Sequence, residues 1–410
     1  MNKHCYRIVF NHALGLYQAV TELARRPGGL GASAGTVWPR RAALALALGL
    51  GASSLHAQVH PDGSTPTGTN TSANGTPVVN IAAPNGAGLS HNRYDQFNID
   101  QHGLILNNSG QISKTQLAGY VTGNANLANG ASARVILNEV TSTARSALNG
   151  ALEVAGPRAD VIIANPNGIN VGGLTFLNVG RGTLTTGRPE LAANGALQAL
   201  NASGGDISIG GSGLDASTID RLDLIARSVV ANAGVWAKNL NVVAGANRVD
   251  YASLATTPIA GDANKPATAI DVAAVGGMYA NAIHLIATEA GIGVNNAGTL
   301  AAQAGDLTLS SNGQVTLGGK TTATGTVTVG AAQAVSNTGT VAAGGTVNLH
   351  SDTDLASSGT LYSDGGITLS ANGNLTHSGQ LQAQGGPLNV NAGGSFTNAA
   401  NATIYAAGQA

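Results

Sequence analysis

Cysteine, aromatic rings and charge are all scarce in this chain. Its one cysteine is Cys5, aromatic residues make up 3% of the 410 residues, and charged residues make up 10%. Globular domains ordinarily carry about 25% charged residues. The scarcity of rings argues against a core of bulky side chains. What is abundant is glycine, 58 residues, within a composition that is 43% hydrophobic. Glycine alone would fit a disordered chain, but the apolar residues fall in short Val/Ile/Leu groups that need burial. Low charge with few aromatics and many short apolar groups favours stacked strands.

The first 57 residues read as an export signal. Arg40-Arg41 precede an apolar run, Ala42 to Leu50, and small residues lead to Ala57-Gln58, where cleavage is expected. The run is far shorter than the ~20 residues a membrane-spanning helix requires. Upstream lies a further stretch, Met1-Asn2-Lys3-His4-Cys5-Tyr6-Arg7-Ile8-Val9-Phe10-Asn11, continuing to Glu22. This stretch resembles the extended signal region of large Gram-negative type V exoproteins, which implies slowed export across the inner membrane. Removing residues 1–57 takes away six basic groups and one acid, leaving 13 basic and 19 acidic residues and a net charge of −6. That balance argues against nucleic-acid binding. It also leaves no cysteine, which suits a chain threaded unfolded through an oxidising periplasm.

From residue 298 a repeat is visible. Gly298, Gly319, Gly339, Gly359 and Gly379 are spaced by 21, 20, 20 and 20 residues. The same order of residues recurs around them: Asn337-Thr338-Gly339-Thr340-Val341 leads to Gly345-Thr346-Val347-Asn348-Leu349, for example. Each unit is a turn, a short strand, a glycine turn and a strand of alternating apolar and polar residues. Such a unit cannot bury its apolar face alone, but stacking on a copy of itself does so. Leucine-rich repeats lack a matching signature here, and helical solenoids are excluded by glycine, which costs ~1 kcal/mol per helical position. The expected fold is therefore all-β, a right-handed parallel β-helix with an N-terminal β cap and irregular insertions. At ~4.8 Å per coil, residues 58–410 would form a rod of the order of 80 Å. The cap, from about Gln58 to His91, is required because a bare first coil would template aggregation. Pro61 to Pro77 reads as a loose leader.

Between Val78 and Tyr251 a series of segments carries a specific resemblance. They include Val78-Val79-Asn80-Ile81, Gly88-Leu89-Ser90-His91-Asn92, Asn138-Glu139-Val140-Thr141, Val161-Ile162-Ile163-Ala164-Asn165-Pro166-Asn167-Gly168-Ile169 and Ala244-Gly245-Ala246-Asn247-Arg248-Val249. The region resembles the secretion domain of two-partner secretion exoproteins, the family of filamentous haemagglutinin and the contact-dependent inhibition toxins. Asn165-Pro166-Asn167-Gly168 has the residues of a type I turn, ending the strand before it. The resemblance implies that this tetrad, with Ile169, shapes the fold or is recognised by the transporter. The family's second motif falls on Asn124-Ala125-Asn126-Leu127, where Ala125 stands in place of proline and removes the preset φ. The resemblance further implies a cognate outer-membrane β-barrel transporter with periplasmic docking modules, engaged by β-augmentation. The expected organisation is an extended signal (1–57), a flexible leader (58–77), a capped secretion domain (78–260) and β-helix coils (261–410) that break off within the repeat.

Motifs of chemistry are weak. Gly31-Ala32-Ser33-Ala34-Gly35 matches a nucleophile elbow but lies in the signal region without a preceding strand. Gly210-Gly211-Ser212-Gly213-Leu214-Asp215 is one copy of a calcium nonapeptide, with Ser217 where an apolar residue belongs. The nine histidines form no close cluster, and strand alternation turns His284 outward. Paired carboxylates are absent except Asp352 and Asp354, beside a turn. No catalysis, metal or cofactor is expected. The product is expected to be a monomeric exoprotein on the outer cell surface. The rod is expected to be an adhesin fibre, with the stalk of a contact-dependent growth-inhibition toxin as the alternative and a secreted decoy or matrix component as a third reading.

Overall fold

The computed structural model describes residues 6–11, 16–21, 59–127 and 130–407. Two units are distinguished, Met1–Ser53 and Ser54–Ala410. In the first, Tyr6–Asn11 pairs antiparallel with Leu16–Thr21. The apolar run Ala42 to Leu50 and the expected cleavage point Ala57-Gln58 lie outside the described residues.

The second unit is a parallel β-solenoid of three long sheets. One turn runs through Leu307–Ser311, Val315–Leu317 and Lys320–Ala323. The next runs through Val327–Ala331, Val335–Asn337 and Thr340–Ala343, each strand lying in parallel register on the one before. The columns Leu307, Val327, Val347, Ile367 and Val315, Val335, Leu355, Leu375 point inward and are fully or almost fully buried. Intervening residues point to solvent, because successive side chains in a strand alternate between faces. The repeat expected from sequence is thus the structural coil.

Upstream coils obey a different burial rule. Leu104–Asn107 is buried at every position, as are five of six positions in Ala159–Ala164 and in Arg221–Ala226. A strand buried on both faces reads as a continuous apolar run, whereas one wetted on one face alternates. The outer faces here are covered by antiparallel elements inserted between coils. The hairpin Ser113–Thr115 with Gly119–Val121 lies over Val78, Ile105 and Ala155. A four-stranded sheet of Arg188–Leu191, Leu197–Ala202, Asn247–Asp250 and Thr256–Pro258 covers Ile225, Val243 and Ile286 with Leu200 and Val249. Where that sheet ends, Tyr251 sits under the Arg181 guanidinium, 3.9 Å from the ring centroid, and burial pushes its phenol up to about 12. Arg181 and Arg221 both pair with Asp223, which is inaccessible to solvent.

The N-terminal end is closed by strand reversal. Val59–Pro61 runs antiparallel to Leu89–Phe97, and Gly68–Thr71 runs antiparallel to Pro77–Asn80. Residues 59–77, expected to lie within the cap but also read as a flexible leader (58–77), therefore supply two strands of the cap. Their Thr, Pro and Gly content belongs to tight turns over the first coil. The rod is also shorter than expected. Twelve parallel strands in the first sheet, from Leu89–Phe97 to Leu388–Ala392, span roughly 55 Å at ~4.8 Å per step. The inserted strands consume the difference: Leu240 is followed in its column by Ile283, 43 residues later, rather than by a residue about 20 on.

The spaced glycines are required by backbone contact. A Cβ on Gly319 would lie 2.0 Å from the Gly298 carbonyl oxygen. The corresponding distances are 2.1 Å from Gly339 to Gly319 and 2.0 Å from Gly359 to Gly339. Each turn rests on the backbone of the turn below. Gly339→Ala is expected to lower stability by about 2 kcal/mol or more, read as a drop in the urea midpoint. Gly330→Ala, where no atom lies within 4 Å of the new methyl, is expected to be neutral or stabilising by up to ~1 kcal/mol.

Candidate functional site

The two asparagine tetrads are built alike. In the first, the Asn124 side-chain amide donates to the Ile81 and Asn107 carbonyls at 2.9 and 3.0 Å, and Oδ1 accepts from the Asn126 backbone N at 3.0 Å. The turn Ala125–Leu127 closes with Leu127 N donating to Asn124 O, and Leu127 drops into the main core. Asn126 ties in the cap, its Nδ2 donating to Pro66 O at 2.6 Å. The turn forms with Ala125 in place of proline.

In the second, Asn165 Nδ2 donates to Ala144 O and Ser146 Oγ, both at 2.9 Å, and Oδ1 accepts from Asn167 N at 3.0 Å. Asn167 Nδ2 reaches Ser142 O at 2.7 Å, and Gly168 N closes the turn on Asn165 O at 3.0 Å. Gly168 has φ +107°, and a Cβ there would meet the Arg145 guanidinium. Ile169 is fully buried and opens the next strand. Asn124 and Asn165 are 1% and 0% exposed, so the leading asparagines face their own protein. Each amide replaces the hydrogen bonds that a turning backbone leaves unmade.

Sequence reading passed over a third fastener. Asn108 Nδ2 donates to Ala133 O and Pro157 O, both at 2.9 Å, and its Oδ1 accepts from Ala133 N at 2.7 Å. The signal was available: Asn108 follows the apolar run Leu104-Ile105-Leu106 closely, as Asn165 follows Val161-Ile162-Ile163.

The outer side of the second tetrad borders a cleft of about 400 Å³ lined by Pro166, Asn167, Asp206, Arg227, Asp262 and Asn264. Arg145 makes a bidentate pair with Asp206, at 2.8 and 2.9 Å, and donates to Asn167 O at 3.0 Å. Arg227 is 5% exposed in its side chain and clamps Glu289 at 3.0 and 2.8 Å. It also holds the Asp262 and Asn264 carbonyls at 2.8 and 3.1 Å. The Arg227 guanidinium holds the Glu289 carboxyl below its ordinary range, and Glu289 in turn raises Arg227. The donors of Arg227 are thus spent on bracing the segment around residue 262 against two coils.

Among the described residues, no group of three or more His, Cys, Asp or Glu is placed to hold a metal ion. His284 is exposed, as alternation predicts. Asp354 Oδ1 accepts from Asn374 N at 2.7 Å, while Asp352 pairs with His350 at 2.9 Å. The two carboxylates serve different partners rather than one reacting centre.

A capped parallel solenoid whose polar groups are spent on joining coil to coil, behind an export signal, defines a class of exported β-helical proteins. Within it, the chain belongs to the two-partner secretion family: the TPS secretion domain matches residues 57–317. The Extended Signal Peptide of Type V secretion system matches residues 1–52. The protein is therefore a two-partner secretion exoprotein, exported from a Gram-negative cell. It is 45% identical over 337 residues, 79% of this chain and 11% of the relative, to the tRNA nuclease CdiA-2 of Burkholderia pseudomallei strain 1026b. It is 46% identical over 331 residues, 77% of this chain and 10% of the relative, to the toxin CdiA of Yersinia pestis. The chain thus spans about a tenth of the length of these curated relatives. The crystal structure of the filamentous hemagglutinin secretion domain superposes with a TM-score of 0.63 at 35% identity, covering 81% of this chain and 99% of that one. The HMW1 secretion domain from Haemophilus influenzae shares the fold, with a TM-score of 0.56 at 15% identity over 86% of this chain and 98% of that one.

Asn165→Ala strips the partner from the part-buried Ala144 carbonyl, the buried Ser146 hydroxyl and a turn N–H, and is expected to cost about 1–3 kcal/mol. Ala125→Pro restores the φ preset in a turn where the Ala125 N–H meets no acceptor among the described residues, and is expected to gain about 0.4–1 kcal/mol. Both are read from urea midpoints. The depressed Glu289 carboxyl contributes stability that is complete above its unfolded pKa of about 4.3 and is lost as pH falls through the lower folded value. Glu289→Gln is therefore expected to lower the midpoint at pH 7 and to narrow the gap between pH 7 and pH 3 values.

Proposed function

We propose that the segment following the signal is recognised by a cognate outer-membrane β-barrel transporter through periplasmic docking modules, and that the emerged solenoid is the base of an adhesin fibre on the cell surface. The observation that carries this reading is the pairing, in one chain, of an extended type V signal over residues 1–52 with a TPS secretion domain over residues 57–317. The solenoid supplies the physical rationale. Its coils contact chiefly their neighbours, so each can fold as it emerges, and burial outside the cell opposes return. The chain acts as a monomer and performs no catalysis. Residue chemistry supports the latter, since its carboxylates serve turns and ion pairs.

A second reading is favoured by the relatives. Proteins 45% and 46% identical to this chain are a tRNA nuclease and a toxin, so the same base serves equally as the stalk of a growth-inhibition toxin. Deleting the transporter gene tests the common part. Mature chain is expected to disappear from the medium and be degraded in the periplasm; normal amounts in the medium would refute transporter-dependent export. A competition assay between producing and non-producing cells then separates adhesin from toxin.

A further inference from the structure

Large apolar side chains are exposed at few places among the described residues. Phe396, Ile404 and Tyr405 lie on the last coil, while Ile112, Tyr120 and Leu191 lie on or beside inserted hairpins. On the side wall of the solenoid itself stand Trp236, 41% exposed, and, in a nearby turn, Val275. Trp236 is the one tryptophan that remains once the signal region carrying Trp38 is removed. It lies parallel to Tyr279 of the following coil, with ring centroids 6.1 Å apart and planes at 14°.

The sequence reserves room for both rings. Gly234-Val235-Trp236 and Gly277-Met278-Tyr279 occupy the same register in successive coils. A Cβ on Gly234 would lie 2.3 Å from the Trp236 ring, and one on Gly277 would lie 2.7 Å from the Tyr279 ring. Neither glycine has the positive φ that would call for glycine on backbone grounds. The space serves the rings. Below Gly234 in the same column, a Cβ on Gly213 would also come 3.2 Å from the Trp236 ring, although the φ of +82° at Gly213 and the nearer Gly234 carbonyl already require glycine there.

The surroundings select among occupants. Directly beneath Trp236 in its column is Asp215, exposed. Its Oδ1 is taken by the Ser217 backbone N and hydroxyl at 3.0 and 2.6 Å, which leaves Oδ2 to accept from a ligand hydroxyl. Above Tyr279 the column continues with Ala301 and Thr322, so small side chains leave the pair unobstructed. A wall with two parallel rings and no deep apolar groove gives an acyl chain nowhere to bury. It does suit the flat C–H face of a pyranose, which stacks on aromatic rings while its hydroxyls reach polar neighbours. A carboxylate beside the rings disfavours an acidic sugar.

We propose that Trp236 and Tyr279, with Asp215, form a stacking site for a neutral saccharide chain on the outer wall of the solenoid. The site does not depend on the export route, and its occupant is met after secretion.

Because Trp236 is the one tryptophan of the signal-free chain, its emission reports on the site directly. Titration with chitohexaose, cellohexaose and maltoheptaose is expected to give a saturable change with at least one of them. Tyr279→Ala is expected to weaken that binding about tenfold, the size of one lost aromatic contact. Gly234→Ala, which displaces the indole without removing it, is expected to weaken it as well. Trp236→Ala is expected to abolish binding measured by calorimetry while keeping one cooperative urea transition, its midpoint lowered only by the lost contact with Tyr279. No saturable response to any of the three sugars, or a response equal in Tyr279→Ala, overturns the proposal. So does sedimentation showing a dimer that Trp236→Ala converts to monomer, which would assign the rings to self-association.

Discussion

The structure depends on one constraint: each coil must lie directly on the coil beneath it at the spacing of a parallel β-ladder. Backbone hydrogen bonds run along the rod axis, so a coil satisfies its donors and acceptors only through its neighbours. The turns obey the same spacing. At Gly319, Gly339 and Gly359 the backbone approaches the carbonyl below so closely that no side-chain carbon fits. A chain with this geometry has no core until a second coil is laid, and thereafter its core grows with length. This suits a protein that is exported from the cell.

The asparagine tetrads answer a problem created by that constraint. When a strand ends and the chain turns a corner, carbonyls of the coil below lose their ladder partners. Asn165 and Asn124 supply side-chain amides to those carbonyls and take their own turn N–H in return. Arg227 does comparable work at larger scale, holding the segment around residue 262 to Glu289 through a charged network. Burial and pairing together make these polar groups part of the fold, and the outer rim of the second tetrad is what remains at the surface.

Inserted antiparallel strands explain the contrast between the two halves of the solenoid. Downstream coils are wet on their outer face and alternate, as in Val347–Ser351. Upstream coils carry a second apolar layer, in which Ile225, Val243 and Ile286 pack under the four-stranded sheet. Part of the region matched by the TPS secretion domain is thus covered on its outer face as well as stacked within.

Residue order by itself determined the coil. The spacing of Gly298 to Gly379 and the alternation in Val347-Asn348-Leu349 follow from local contact between successive repeats, so period and burial face were legible without coordinates. The turn at Asn165-Pro166-Asn167-Gly168 was legible for the same reason, since its φ preferences are local. Continuous runs such as Leu104-Ile105-Leu106 also carried a message, burial on two faces, but could not say what covered them. Only the tertiary structure decided that, bringing Leu200 and Val249 onto Ile225 and pairing Arg227 with Glu289 across 62 residues. It likewise drew residues 59–77, read as a loose leader within the expected cap, into antiparallel strands and set Trp236 beside Tyr279, 43 residues apart. These contacts depend on how much chain each insertion consumes between coils, a quantity set by three-dimensional closure that no local pattern encodes.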